Sequence, residues 1–130
     1  MNPDLGLDPR TTIDTYFAAL RRADRAAWLA TFAPDGAAED PAGTPAKRGH
    51  AELGAFWDGV AGALTRMDFH PLSVHLCGDR AAVSWRAELA AGNDKSTVCS
   101  GIDLFEFDAQ GRIAKLTGYW DPAAAFAALA

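Results

Sequence analysis

At 130 residues the chain has the length of one domain, and we predict a single domain over residues 1–130 with room for a core and a small pocket. Hydrophobic residues make up 49% and charged residues 22%, a composition typical of globular proteins that argues against disorder. The 17 acidic side chains outnumber the 12 basic ones, and a net charge of -5 argues against a nucleic-acid-binding surface. No apolar run reaches transmembrane length, and the start, MNPDLGLDPR, lacks the basic end and apolar stretch of a signal peptide. We therefore expect a cytoplasmic protein that binds neither nucleic acid nor membrane.

Two amphipathic helices are predicted at the start of the chain. The first lies in TTIDTYFAALRRAD, and its apolar residues recur at i, i+3, i+4 and i+7: Ile13, Tyr16, Phe17 and Leu20. Thr11 or Thr12 can cap its first turn. The second lies in DRAAWLATFA with Asp24 as its cap, and we expect Phe32 on its inward face and Pro34 at its end.

An acidic residue follows in a stretch of small residues, AAEDPAGTPAKRG. Pro41 favours an extended conformation for the residue before it, so we predict a short strand over residues 37–40 that ends at Asp40. A third helix is predicted to start near Gly49. Its apolar residues again follow helical spacing: Leu53, Phe56, Trp57, Val60 and Leu64.

The periodicity changes to two after the third helix, which predicts strands. One strand alternates through Leu72, Val74 and Leu76, and the next alternates through Val83, Trp85, Ala87 and Leu89. A hairpin with its turn at residues 108–111 follows, and then a short helix capped by Asp121 with Pro122 at its first position. Helices first and antiparallel strands later indicate an α+β fold, in which a curved sheet wraps around the helices and leaves a cavity at its open end.

Three polar groups fall on apolar faces. In VCSGIDLFEFD both faces are largely apolar, so we predict that this strand is buried on both sides and that Asp103 is a buried carboxyl group. Such a group avoids ionisation by raising its pKa, and a neutral carboxylic acid donates a hydrogen bond. Tyr16 offers a second neutral donor and Asp40 a possible base, a set suited to proton transfer beside a carbonyl group.

Structural roles for the same three residues stay open at this point. Tyr16 can be an ordinary core residue with its hydroxyl satisfied. Asp103 can form an ion pair with Arg86 or Arg112. Asp40 can be a turn or cap residue, as aspartate before proline commonly is.

The sequence resembles bacterial Δ5-3-ketosteroid isomerases, within the larger family of nuclear transport factor two-like and polyketide cyclase-like proteins. The resemblance runs from about Thr12 to Asp121 and rests on TYFAALRRAD, EDPAG, RGHAELGAFW and GIDLFEFDAQGRI followed by GYW. It implies a cone-shaped curved antiparallel sheet around the N-terminal helices. It also implies a homodimer and an isomerase that needs no cofactor or metal.

The resemblance implies roles for individual residues. Asp40 would move a proton from C4 to C6 of a 3-oxo-Δ5-steroid, while Tyr16 and protonated Asp103 would donate hydrogen bonds to the C3 oxygen of the dienolate. An apolar, aromatic site suits such a substrate. Candidates for its lining are Phe56, Trp57, Phe69, Trp85, Phe105 and Trp120.

The chain departs from the family pattern in the groups that support the oxyanion tyrosine. Well-known members use two further tyrosines, and this chain has Phe32 and Trp57 at the corresponding positions. Phenylalanine cannot donate a hydrogen bond, whereas an indole N–H can. Two alternatives remain: a hydrolase or dehydratase on the same fold, and a non-catalytic steroid- or lipid-binding module.

Overall fold

The computed structural model describes residues 8–130. The predicted absence of a signal peptide therefore concerns residues that lie mostly outside the described part. In chain order the elements are α1 Pro9–Arg22, α2 Arg25–Ala30, β1 Phe32–Glu39, β2 Lys47–Arg48, α3 Gly49–Ala61, β3 Arg66–Cys77, β4 Arg80–Ala90, β5 Ser96–Phe107, β6 Ile113–Tyr119 and α4 Pro122–Leu129. No helix in this part of the chain is long and apolar enough to cross a membrane.

The strands form one curved sheet in the order β2-β1-β6-β5-β4-β3, which confirms the predicted α+β class. β5 and β6 form the predicted hairpin, and its turn ends at Gly111 with φ of 75°. Within residues 8–130, the pairing of β1 with β6 is parallel and the other pairings are antiparallel. Because the third helix and several strands separate β1 from β6 along the chain, the two can lie side by side in the same direction.

The helices pack on one face of the sheet, and the core lies between them. The predicted stripe of α1 is buried, with Ile13 and Phe17 fully enclosed and Tyr16 only 4% exposed. The predicted alternation of β4 is also present, because Val83 and Leu89 are fully buried on the same face. The apolar surface that these side chains bury between the helices and the sheet stabilises the fold.

Two of the three predicted helix caps form. The Asp24 carboxylate accepts a hydrogen bond from the Ala27 backbone N–H at 3.1 Å, and Asp121 accepts one from Ala124 at 3.0 Å. The predicted threonine cap of α1 is wrong, because this helix begins at Pro9 and Thr12 lies within it. A proline at the first position has no N–H to satisfy, so the helix starts one turn earlier than the threonines suggest.

β1 is longer than predicted and begins at Phe32, which is not part of α2. Pro34 and Gly36 lie inside this strand, although both are typical of turns. A Cβ at Gly36 would lie 2.6 Å from the Ile113 carbonyl oxygen, so only glycine allows this close approach to β6. The local sequence around Pro34 and Gly36 is typical of a helix end. It does not indicate that this segment pairs with β6, because β6 lies far along the chain.

Two apolar residues depart from their predicted positions. α3 ends at Ala61, so Leu64 follows the helix and is not part of it. The pairing of β3 with β4 shifts register between Pro71 and Ser73, and Leu72 between them is 65% exposed. An inserted residue changes which face the following side chains occupy, so the simple alternation through Leu72 does not hold.

The prediction that β5 is buried on both sides is wrong for a single chain. Asp103, Phe105 and Phe107 face the helices, but the alternate residues lie on the outer face of the sheet. Three of these are apolar and exposed: Val98 at 53%, Ile102 at 47% and Leu104 at 39%. In a single chain these three side chains of the outer face are therefore open to solvent.

Candidate active site

A cavity lies between the helices and the inner face of the sheet, and it holds the three polar residues that the sequence singles out. Tyr16 enters it from the buried stripe of α1, Asp103 from the inner face of β5, and Asp40 from the residue directly after β1. About 600 Å³ lies between the lining side chains, including the open mouth. The remaining lining is apolar, which suits a ligand with a large apolar surface.

Most of the aromatic residues predicted to bind substrate line this cavity: Phe56, Trp57, Phe69, Trp85 and Trp120. Phe105 does not. It is 1% exposed in the core, and its ring packs edge-on against the Tyr16 ring with 5.4 Å between centroids. Phe105 lies two positions after Asp103 on the same face of β5, behind the Tyr16 ring, which it holds in position. The predicted contact between Phe105 and substrate is therefore wrong.

Sequence reasoning missed several lining residues: Leu20, Trp28, Val60, Leu64, Met67 and Leu89. Helical spacing indicates two of them, because Leu20 lies one turn after Tyr16 and Val60 one turn after Phe56. Trp28 is predicted only to lie on the inward side of the second helix, with no contact to a ligand. The sequence feature that could have indicated this role is an indole N–H among apolar residues, because such a group can donate a hydrogen bond to a polar group in a cavity.

Asp40 accepts a hydrogen bond from the Trp120 indole N–H, with 2.7 Å between Nε1 and Oδ1. The sequence does not predict this bond, since it indicates Trp120 only as an apolar wall. Burial raises the pKa of Asp40, and the Trp120 N–H and the positive charge of Lys47 oppose that rise. The carboxyl group therefore lies in the cavity with a donor that favours its ionised form, and its side chain does not form the turn that follows Pro41.

Asp103 is 5% exposed, and this burial favours its neutral form. Burial raises its pKa well above the ordinary value, the negative charge of Asp40 adds to the rise, and Trp85 opposes it. The two arginines considered as partners lie elsewhere, because Arg112 pairs with Asp108 at 3.5 Å and Arg86 is exposed on the outer face of the sheet. Asp103 is thus a hydrogen-bond donor in an apolar setting.

Tyr16 is the second neutral donor of the cavity. Burial raises its pKa well above the ordinary value, the neighbouring acidic groups Asp103 and Asp40 add to this, and Trp28 opposes it. Its ring is fixed by edge-on contacts with Phe17 and Phe105, whose centroids lie 5.1 and 5.4 Å away. A rigid ring holds the hydroxyl group in one direction.

The two carboxyl groups converge beside Gly118 of β6, which pairs with Asp103 in the sheet. A Cβ at Gly118 would lie 2.6 Å from Asp40 Oδ1 and 3.3 Å from Asp103 Oδ1. Two ionised carboxylates at such proximity repel each other, so one keeps its proton. Burial favours the proton on Asp103, the more deeply buried of the two, whereas the Trp120 N–H favours the ionised form of Asp40.

The arrangement brings a carboxyl group that accepts the Trp120 N–H together with two groups whose burial favours their neutral forms. Such a set can remove a proton beside a carbonyl group and stabilise the oxyanion that forms. Within residues 8–130, no three His, Cys, Asp or Glu side chains cluster in a way that could hold a metal ion.

Comparison with known proteins gives the family. The model of the SnoaL-like domain matches residues 13–116. The chain belongs to the SnoaL-like family. This SnoaL-like chain is also 32% identical over 118 residues to a steroid Delta-isomerase of Nocardioides simplex, and the match covers 91% of this chain and 94% of the relative.

Solved structures share the SnoaL-like fold. An ntf2-like protein of unknown function from Burkholderia pseudomallei superposes with a TM-score of 0.82 at 24% identity, covering 93% of this chain and 96% of its own. A putative polyketide cyclase from Xanthomonas campestris gives a TM-score of 0.82 at 22% identity, covering 94% and 96%. At these identities the likeness concerns the fold. The predicted family is confirmed by the SnoaL-like domain match and the 32% identical relative, and the solved structures agree with its fold.

Proposed function

We propose that this SnoaL-like protein is a steroid Δ-isomerase that converts 3-oxo-Δ5-steroids to 3-oxo-Δ4-steroids without a cofactor. One observation carries the proposal: the carboxyl groups of Asp40 and Asp103 converge beside Gly118 in an apolar cavity that also holds Tyr16. The 32% identity to a steroid Delta-isomerase over most of the chain supports the same reaction.

The reaction needs one base, and it neither consumes nor releases a proton overall. The Asp40 carboxylate removes a proton from C4, and the electrons of that C–H bond form a dienolate with its negative charge on the C3 oxygen. Tyr16 and Asp103 donate hydrogen bonds to this oxygen, which stabilises the charge where it develops. Asp40 then returns the proton to C6, so the double bond becomes conjugated with the carbonyl group and the base is regenerated.

The cavity lining supports a rigid, apolar substrate. Aromatic side chains of α3, β3 and β4 surround the three polar groups, and few other polar atoms face the cavity. A hydrolase or dehydratase must activate water or expel hydroxide and would need further polar groups. A simple lipid-binding module would gain nothing from a carboxylate held by Trp120 opposite a neutral acid.

We propose that the protein acts as a homodimer joined through the outer face of the sheet. Val98, Ile102 and Tyr119 expose about half of their surfaces on this face, at 53%, 47% and 51%. Ser73 of β3 and Ser84 of β4 form a hydrogen bond between their hydroxyl groups, so each hydroxyl has a partner within the chain. An apolar patch of this kind suits the isologous contact of two identical sheets.

The test of the isomerase is an ultraviolet assay with a 3-oxo-Δ5-steroid, whose absorbance rises as the double bond becomes conjugated. Asp40→Asn is expected to lower kcat by about 10²-fold or more, because the amide cannot accept the proton. Steroid binding, measured by quenching of tryptophan fluorescence, should be retained. Asp35→Asn is the matched control, since Asp35 is exposed on β1, the strand that Asp40 follows.

A folded protein that gives no absorbance rise would remove the isomerase proposal and leave the fold standing. Turnover that survives Asp40→Asn would retain an isomerase but assign its base to another residue. Loss of steroid binding together with turnover would indicate that Asp40 is structural.

A further inference from the structure

Two buried indole N–H groups in the cavity wall lack acceptors. Trp28 and Trp85 are each 2% exposed and line the cavity, and neither Nε1 atom has a hydrogen-bond partner among residues 8–130. The Trp120 indole in the same cavity does have one, on Asp40. An indole N–H can only donate, and an unpaired buried donor is costly and rare in proteins. Two such groups in one cavity therefore need a functional explanation.

Trp28 lies beside the first oxyanion donor. Its ring contacts the Tyr16 ring at 6.1 Å and is fixed by Phe32 at 4.9 Å and Trp57 at 5.2 Å. A hydrogen-bonding interaction from Trp28 lowers the pKa of Tyr16 against the effect of burial. The Trp28 indole, whose N–H has no acceptor in the described part of the chain, therefore packs directly beside the Tyr16 ring.

Trp85 lies beside the second oxyanion donor. It pairs with Gly101 across β4 and β5, and Asp103 is the next residue of β5 on the same inner face. A Cβ at Gly101 would lie 2.6 Å from Trp85 Cζ2, so the glycine makes room for the indole. An interaction from Trp85 lowers the pKa of Asp103 against the effect of burial, as Trp28 does for Tyr16.

We propose that Trp28 and Trp85 are positioning residues whose indole N–H groups donate to the oxygens of Tyr16 and Asp103 when those two groups bind an oxyanion. A hydroxyl oxygen that accepts a hydrogen bond becomes a stronger donor through its own proton. For Asp103, the N–H engages the carbonyl oxygen and leaves the O–H directed at the ligand. This inference rests on the proposed function, and it assigns to α2 and β4 the support that Phe32 cannot give.

The test measures oxyanion binding without turnover. The probes are 4-nitrophenolate, which carries an oxyanion on a ring, and 4-nitrotoluene, which has a similar shape and no oxygen at that position. Trp28→Phe and Trp85→Phe should each weaken 4-nitrophenolate binding by about 3- to 10-fold relative to 4-nitrotoluene, the effect of one hydrogen bond. Phe107→Leu is the control, because it shrinks a buried aromatic side chain on the inner face of β5 that does not line the cavity, and it should leave this ratio unaltered.

Equal losses for both probes would show that the two residues act only through packing and would overturn the proposal. An equal change of the ratio in Phe107→Leu would overturn it too, by showing that a loosened core and not the lost N–H changes oxyanion binding. Indole ¹H–¹⁵N spectra of the unsubstituted protein give a second readout that does not depend on how a variant folds. The Trp28 and Trp85 indole protons should move downfield with 4-nitrophenolate relative to 4-nitrotoluene, and unmoved signals would overturn the proposal. Because neither readout involves a steroid, a chain that passes here and fails the absorbance assay would refute only the isomerase.

Discussion

At the scale of single residues, the pair formed by Asp40 and Trp120 decides how the base works. The carboxylate must be ionised to accept a proton, yet burial favours its neutral form. The Trp120 N–H, at 2.7 Å from Oδ1, stabilises the ionised form and fixes the direction of the carboxylate. A residue that the sequence indicates only as an apolar wall thus tunes the base.

Trp120→Phe is expected to move the acid limb of the kcat/KM profile to higher pH. The phenyl ring removes the donor that lowers the pKa of Asp40, so that pKa rises further above its ordinary value. Since the base acts only when unprotonated, activity is then lost at a higher pH as the solution is acidified. The measurement is a pH series of initial rates, with Trp57→Phe as control; an unmoved acid limb in Trp120→Phe would contradict the assigned role.

Asp103→Asn is expected to raise the free energy of unfolding at neutral pH relative to the unsubstituted protein. The folded pKa of Asp103 lies above its ordinary value of 3.8, so the folded state binds more protons than the unfolded state between those two values. Its contribution therefore falls as pH rises through this window, by about 1.4 kcal/mol per pH unit. The amide lacks this dependence.

Urea unfolding of both proteins across a pH series measures the effect. The difference between them should be smallest below pH 3.8, where the carboxyl group is protonated in both states, and should grow as pH rises. A difference that does not change with pH would show that Asp103 ionises as an exposed carboxyl group does.

At the scale of elements, α1 is tied to the far end of the β5–β6 hairpin. The Thr12 hydroxyl donates to the Gly111 carbonyl oxygen at 2.6 Å, and both atoms are buried. This bond connects the helix that carries Tyr16 to the hairpin that carries Asp103. The residue expected to cap α1 therefore holds two elements of the candidate site together.

Thr12→Val is expected to lower the free energy of unfolding by about 1–3 kcal/mol, because it leaves the buried Gly111 carbonyl without its donor. Valine keeps the shape of threonine, so packing is preserved. Thr11→Val is the matched control, since Thr11 precedes it on the exposed side of the same helix and should change stability little. Chemical denaturation of the three proteins checks this, and equal stability of both variants would contradict it.

At the scale of the whole molecule, the two faces of the sheet differ in what covers them within a single chain. The inner face packs against the helices and forms the cavity, while the outer face exposes apolar side chains of β5 and β6. The sequence pattern predicts burial of both faces of β5. A second copy of the chain on the outer face would reconcile that pattern with the exposure observed for one chain.

Ile102→Asp is expected to convert a dimer to a monomer, because it puts a charge at the centre of the proposed contact. Sedimentation velocity measures the mass of the particle, and circular dichroism shows that the variant is folded. Ala51→Asp, on the exposed side of α3, adds the same charge elsewhere and should remain dimeric. If the unsubstituted protein sediments as a monomer, the dimer proposal fails.

Local pattern in the sequence determined most of the elements and the inward faces of α1 and β4. The stripe of α1 and the alternation of β4 each follow from a period of 3.6 or 2, because side chains at that spacing share one face. The same parity along β5 is enough to predict that Asp103 lies on a buried face. The acid caps Asp24 and Asp121 were predictable too, since a cap needs only its own first turn.

Only the tertiary structure decided which distant residues meet. The bond from Trp120 to Asp40 joins positions 80 residues apart, and the convergence of two carboxyl groups beside Gly118 depends on the register of β6 with β5. Phe105 and Leu72 show the same limit. Phe105 packs against Tyr16 in the core and does not reach the cavity, and Leu72 is turned towards solvent at the register shift between β3 and β4. Local pattern fixes the direction of a side chain along its own element, whereas the neighbour that it meets depends on packing between elements.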